Sequence, residues 1–115
     1  MAKTESYLLR IFVGESDRAD GKPLYEWLVR EAKSRGMAGA TVLRGIMGFG
    51  AHTKMIHTFK IERLSEDLPI VIEIVDAKDK IEDFLSFAES SIQRGILATV
   101  EKVEVRVYRG GKPRA

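Results

Sequence analysis

The residues best suited to chemistry lie just before the middle of the chain, in Gly45-Ile46-Met47-Gly48-Phe49-Gly50-Ala51. Three glycines in six positions let a backbone approach a phosphate or a ribose closely, because no Cβ stands in the way. The segment lacks the Gly-Lys-Ser/Thr of a Walker motif, and no helical pattern follows it as a dinucleotide fingerprint would require. Its plain alternative is a flexible exit from a strand. A second group is cationic. Arg106, Arg109, Lys112 and Arg114 close the chain with no carboxylate after Glu104. The guanidinium fork suits bidentate phosphate contact, so Arg106 and Arg109 are candidate phosphate ligands. A solvated basic tail is the alternative.

Other chemistries find less support. His52 and His57 are the only histidines, and the chain has no cysteine. A metal site would need Glu62 or Asp67 as well, and two loop histidines are more often solvated, so no metal is expected. Glu15 and Asp17 could act as paired acids, but nothing near them looks like a nucleophile. A polar, self-paired loop is the preferred reading there. Gly-Phe-Gly also resembles a piece of an RNA-recognition signature. That signature needs stacking aromatics on the third strand, and Ile70–Val75 has none.

Composition narrows the field further. The chain has 115 residues, 44% hydrophobic and 31% charged, with 19 Lys plus Arg against 17 Asp plus Glu. One domain, 1–115, fits that length. A net charge of +2 is too even to imply nucleic acid as a bulk partner. No apolar run approaches the ~20 residues of a membrane span, and the first residues carry no signal-peptide stretch. A cytoplasmic protein is expected.

The elements that must position these residues follow from periodicity. Tyr7–Val13 alternates as a strand, with Tyr7, Leu9, Ile11 and Val13 on one face and Leu8, Arg10 and Phe12 on the other. It leads into a polar loop, Glu15–Lys22. Leu24, Trp27, Leu28 and Ala32 recur at helical spacing after Pro23, and Gly36 ends that helix behind a basic turn. Ala40–Arg44 reads as a second strand and Ile70–Val75 as a third. Asp79 with Glu82 resembles a capping box for a second helix, whose stripe is Ile81, Phe84, Leu85, Ala88 and Ile92. Val103, Val105 and Val107 mark the last strand. The order β-α-β-β-α-β predicts an α+β, ferredoxin-like sandwich, a four-stranded antiparallel sheet with both helices on one face. The second face should be polar if open. Leu8, Phe12, Val71 and Val75 are not, so another subunit is expected to cover one face of the sheet.

The 23 residues from Ile46 to Leu68 exceed the ~12–15 beyond which loops are uncommon and usually functional. Met55, His57, Phe59 and Ile61 alternate within them. A hairpin extension of the sheet and a partner-binding arm are both open readings.

Acylphosphatases share this topology, but their chemistry needs an asparagine, and this chain has none. A different family fits better. Gly39-Ala40-Thr41-Val42 leads into Gly48-Phe49-Gly50 and a long loop, and Leu68-Pro69 starts a strand containing Ile72-Glu73-Ile74-Val75. In this the chain resembles the nitrogen-regulatory PII-like signalling proteins over about Tyr7 to Arg109. It is most similar to their uncharacterised relatives with a Gly-Glu-Ser-Asp-Arg first loop, here Gly14–Arg18, and Thr-Val-Leu-Arg-Gly, here Thr41–Gly45.

The resemblance implies a homotrimer that binds adenine nucleotides between subunits, performs no catalysis, and docks its long loop on a partner such as a membrane transporter or an enzyme. By motif it implies nucleotide contacts at Thr41, Gly48, Gly50, Val75, Arg106, Tyr108 and Arg109. It also makes Met55, His57 and Phe59 candidate partner contacts. The nitrogen-regulatory members follow Gly-Phe-Gly with Arg-Gln, where this chain has Ala51-His52, and the Lys they carry after Leu-Pro is Ile70. Their Gly-Asp-Gly-Lys phosphate clamp is replaced by Gly95-Ile96-Leu97-Ala98. No tyrosine lies between Ile46 and Leu68 to be nucleotidylated. With one clamp gone, ADP or AMP fits this sequence better than ATP. A small ferredoxin-like enzyme acting on a phosphorylated or acidic metabolite, using Glu15, Asp17 and His52 or His57, is the alternative.

Overall fold

Alternation dictates a strand at the N-terminus, and the computed structural model, which describes residues 3–49, 68–92 and 96–106, extends it to twelve residues. This is β1, Lys3–Gly14. Two short strands follow, β2 (Arg18–Ala19) and β3 (Lys22–Pro23), and pair with each other. Then come α1 (Leu24–Ser34), β4 (Thr41–Arg44), β5 (Pro69–Asp76), α2 (Lys78–Ser91) and β6 (Leu97–Arg106). The main sheet is ordered β4-β5-β1-β6, and every pairing is antiparallel. This is the expected ferredoxin-like arrangement with one small hairpin added.

Both helices lie on one face of the sheet. Leu9, Ile11, Ile70, Ile72 and Ile74 from the sheet meet Leu24, Leu28 and Ala32 of α1 and Ile81, Phe84 and Ala88 of α2 in one buried cluster. The helical stripes read from the sequence are therefore the core stripes. Leu85 and Trp27 are their half-buried flanks, and Trp27 stacks on Phe87 at 5.5 Å between ring centroids.

The helix ends are built locally. Gly36 takes φ 78° just past α1. There its N–H donates to the Lys33 carbonyl and the Met37 N–H to the Ala32 carbonyl. Those two bonds form a Schellman motif, which needs a left-handed residue and so favours glycine. At α2 the sequence reading is corrected. The helix begins at Lys78 with Ala77 as its cap, and no side chain caps it. Asp79 lies inside the first turn, where its carboxylate accepts from the Lys80 N–H at 3.0 Å. The carboxylate that organises this corner is Asp76, which accepts from Ala77 N–H at 2.8 Å and from Ala38 N–H at 2.9 Å. It ties the start of α2 to the loop entering β4.

The polar loop 15–22 also differs from expectation, since it contains the β2–β3 hairpin. Asp20 and Gly21 form its turn at φ 54° and 77°. Two consecutive positive φ values are the type I′ geometry that Asp-Gly favours.

The face away from the helices is arranged in rows set by register. Leu43, Val71, Phe12 and Leu97 stand side by side across all four strands. The next row is polar: Thr41, Glu73, Arg10 and Thr99. The third places Val75 beside Leu8 and Glu101. Arg10 binds the rows together. Its Nε donates to Glu73 at 2.9 Å and its Nη1 to Glu101 at 2.9 Å. The bond to Glu73 and then that to Glu101 raise the Arg10 pKa above its ordinary value. This face is thus two apolar flanks around one neutralised charge ladder.

Candidate functional site

The glycine-rich segment leaves the end of β4 at Gly45 and crosses the first residue of β5. The Gly45 N–H donates to the Pro69 carbonyl at 2.7 Å. A Cβ on Gly45 would come within 2.8 Å of the Pro69 ring, and one on Gly48 within 3.1 Å. The backbone here is pressed against proline, so these two glycines have a packing reason to be glycine. Their side-chain neighbours point the other way. Ile46 is 87% exposed, Phe49 72% and Met47 54%.

The first loop converges on the same end of the sheet. Gly14 pairs with Pro69, and the Glu15 N–H donates to the Leu68 carbonyl at 2.8 Å. The Glu15 carboxylate receives Arg44 Nη2 at 3.2 Å. Asp17 turns back to accept the Gly14 N–H at 2.8 Å. The two carboxylates read as possible paired acids are therefore engaged in structural bonds, in keeping with a self-paired loop. Among the described residues, no group of three or more His, Cys, Asp or Glu gathers as a metal site would.

The other candidates lie elsewhere. Thr41 and Val75 stand on the open face, Thr41 opposite Glu73 and Val75 two residues further along β5. Arg106 ends β6 opposite Lys3, with its Nε on Glu104 at 2.9 Å. Gly14 and Lys3 are the two ends of β1, about 36 Å apart at ~3.3 Å per residue. Gly48 and Arg106 therefore belong to opposite ends of one protomer. Gly50, Tyr108 and Arg109, and Met55, His57 and Phe59 of the long loop, lie outside the described residues. A groove of about 370 Å³ opens between α1 and residues 37–40, lined by Val29, Lys33 and Met37 among others. None of the expected nucleotide contacts lines it.

Sequence reasoning passed over Arg44. Its signal was present: a lone cation between a strand and a glycine, on the doorstep of the candidate loop. Arg10 with its two carboxylates was also missed, because the pairing joins residues 63 and 91 positions apart.

Comparison with known proteins now places the chain. The family model described as "Uncharacterized ACR", DUF190, matches residues 6–105. The chain belongs to the DUF190 family. A UPF0166 protein of Aquifex aeolicus is 44% identical over 105 residues, covering 91% of this chain and 97% of its own length. Another, from Methanocaldococcus jannaschii, is 33% identical over 103 residues, covering 90% and 92%.

Among solved structures, CPII of Thiomonas intermedia K12 bound to ADP and bicarbonate aligns with TM-score 0.65 at 14% identity, covering 90% of this chain and 91% of that one. A PII-like signalling protein of Thermus thermophilus aligns with TM-score 0.63 at 20% identity, covering 91% and 92%. At these identities the likeness is one of fold. This DUF190 chain has the PII-like, ferredoxin-like α+β architecture that its motifs led one to expect. Among its described residues no helix is long and apolar enough to cross a membrane.

Proposed function

We propose that this DUF190 protein is a non-catalytic, adenine-nucleotide-binding PII-like signalling protein. In this reading it assembles as a cytoplasmic homotrimer and acts on a partner, such as a transporter or an enzyme, through segment 46–68. The observation that carries the reading is the separation of its candidate contacts. Gly48 and Arg106 sit at opposite ends of a twelve-residue strand. One protomer cannot close them on a single ligand, whereas a neighbour can bring its Arg106 to the glycine end. The exposed Ile46, Met47 and Phe49 and the apolar row through Leu43 and Leu97 are surfaces such a neighbour would bury. Support for the ligand class comes from CPII, whose solved forms hold ADP, and AMP with ADP, on the same fold.

Two features favour few phosphates. Each candidate arginine in the described residues already faces a carboxylate, Arg44 on Glu15 and Arg106 on Glu104. The sequence also lacks the Gly-Asp-Gly-Lys clamp. The acid–base alternative draws no support from Glu15 and Asp17, which serve the turn after β1. Calorimetric titration tests the reading. ADP and AMP should bind, more weakly as salt rises, because phosphate contacts are screened. Absence of binding by any adenine nucleotide at millimolar concentration contradicts it.

A further inference from the structure

Arg44 stands where β4 meets the glycine turn, and its side chain is about half exposed. Its Nη2 reaches Glu15 at 3.2 Å, and the guanidinium makes no other hydrogen bond among the described residues. A guanidinium has five N–H donors in a rigid fork, so a single contact leaves most of its capacity unused. The backbone beside it is less available. The Gly45 amide is taken by the Pro69 carbonyl at 2.7 Å, so this glycine cannot turn its N–H to an anion while the pairing holds. At this end of the sheet the anion-binding capacity therefore rests on a side chain rather than on the glycine backbone.

We propose that Arg44 is the phosphate-binding residue at the glycine end of the nucleotide cleft, and that Glu15, which competes for its guanidinium, sets how much phosphate charge the cleft accepts. The inference rests on the nucleotide reading above and adds a residue and a selectivity to it. An incoming phosphate takes the fork from Glu15. The Glu15 backbone is fixed by its bond to Leu68, so the displaced carboxylate stays close by. Its repulsion grows with each added phosphate charge. AMP and ADP are tolerated and ATP is disfavoured.

The test titrates AMP, ADP, ATP and pyrophosphate into wild type, Arg44→Gln and Glu15→Gln. Native mass and melting temperature are measured alongside, and both should stay near wild type because an exposed ion pair contributes little to stability. Arg44→Gln should lose ADP affinity about 10-fold to 150-fold, the range for a charge-assisted hydrogen bond. Glu15→Gln should tighten ATP more than AMP and so raise the ATP-to-AMP affinity ratio. If wild type binds ADP and Arg44→Gln binds it equally well, the assignment of Arg44 is wrong and the nucleotide reading stands. An unchanged ratio in Glu15→Gln removes the selectivity role. If wild type takes pyrophosphate but no adenine nucleotide, and Arg44→Gln loses the pyrophosphate, Arg44 is an anion site and the nucleotide reading fails. Binding of none of the four rejects both.

Discussion

At the scale of single residues, Pro69 decides the shape of the candidate loop. Its ring lies where a Cβ of Gly45 would go, and it cannot retreat, because its own carbonyl is held by Gly45 and its backbone pairs with Gly14. Gly45→Ala should therefore destabilise the protein by about 1–3 kcal/mol, as overpacking does. Gly48→Ala, with 3.1 Å to spare, should cost less. Urea unfolding of the two variants checks the order, and equal stabilities would mean the loop yields freely. Arg106→Ala is the contrasting case. Its partner Glu104 is exposed, so stability should hardly move. Nucleotide affinity should fall by roughly 1.5–3 kcal/mol if the side chain meets a phosphate. Calorimetry separates the two effects, and an unchanged affinity would remove Arg106 from the site. Arg10 adds no pH dependence in the ordinary range. Its pKa is raised, so its contribution is complete below the normal arginine value and fades only above it.

At the scale of elements, legibility follows from how local the cause is. The stripe of α1 and its Gly36 stop were readable because helix periodicity and the Schellman turn are set within a few residues. The start of α2 was not. Asp79 looked like a cap from its spacing to Glu82, but Asp76 holds that corner through Ala38, a residue 38 positions away. The Asp20-Gly21 hairpin was legible in principle, since that dipeptide is a strong turn signal. Its flanking strands are two residues each, too short to alternate visibly. β6 begins at Leu97 rather than near Val103, because pairing with β1 recruits Ala98 and Thr99.

Which face of β5 looks outward was also beyond the sequence, as both are apolar. The fold resolves it: Ile72 is fully buried under the helices, and Val71 sits in the open-face row. Two substitutions should then part company. Ile72→Glu places an unpaired charge in the core, which costs several kcal/mol, and should unfold the chain. Val71→Glu should leave the circular dichroism of a folded protomer and abolish assembly. If Val71→Glu keeps the wild-type mass in size-exclusion chromatography with light scattering, the open face is not the interface.

At the scale of the whole molecule, the candidate site was legible as a set of residue types and illegible as a place. Thr41, Val75, Gly48 and Arg106 were named from motifs, yet within one chain they occupy the middle and both ends of a single sheet. No periodicity encodes a contact between copies, so the sequence could suggest the contacts but not where they meet. The account as a whole depends on that meeting. Native mass spectrometry of the purified protein, with and without added ADP, tests it most directly. The chain weighs 12.9 kDa, so the account predicts a species of three times that mass that gains up to about three nucleotides on addition of ADP. A species at 12.9 kDa that takes up no nucleotide would contradict it.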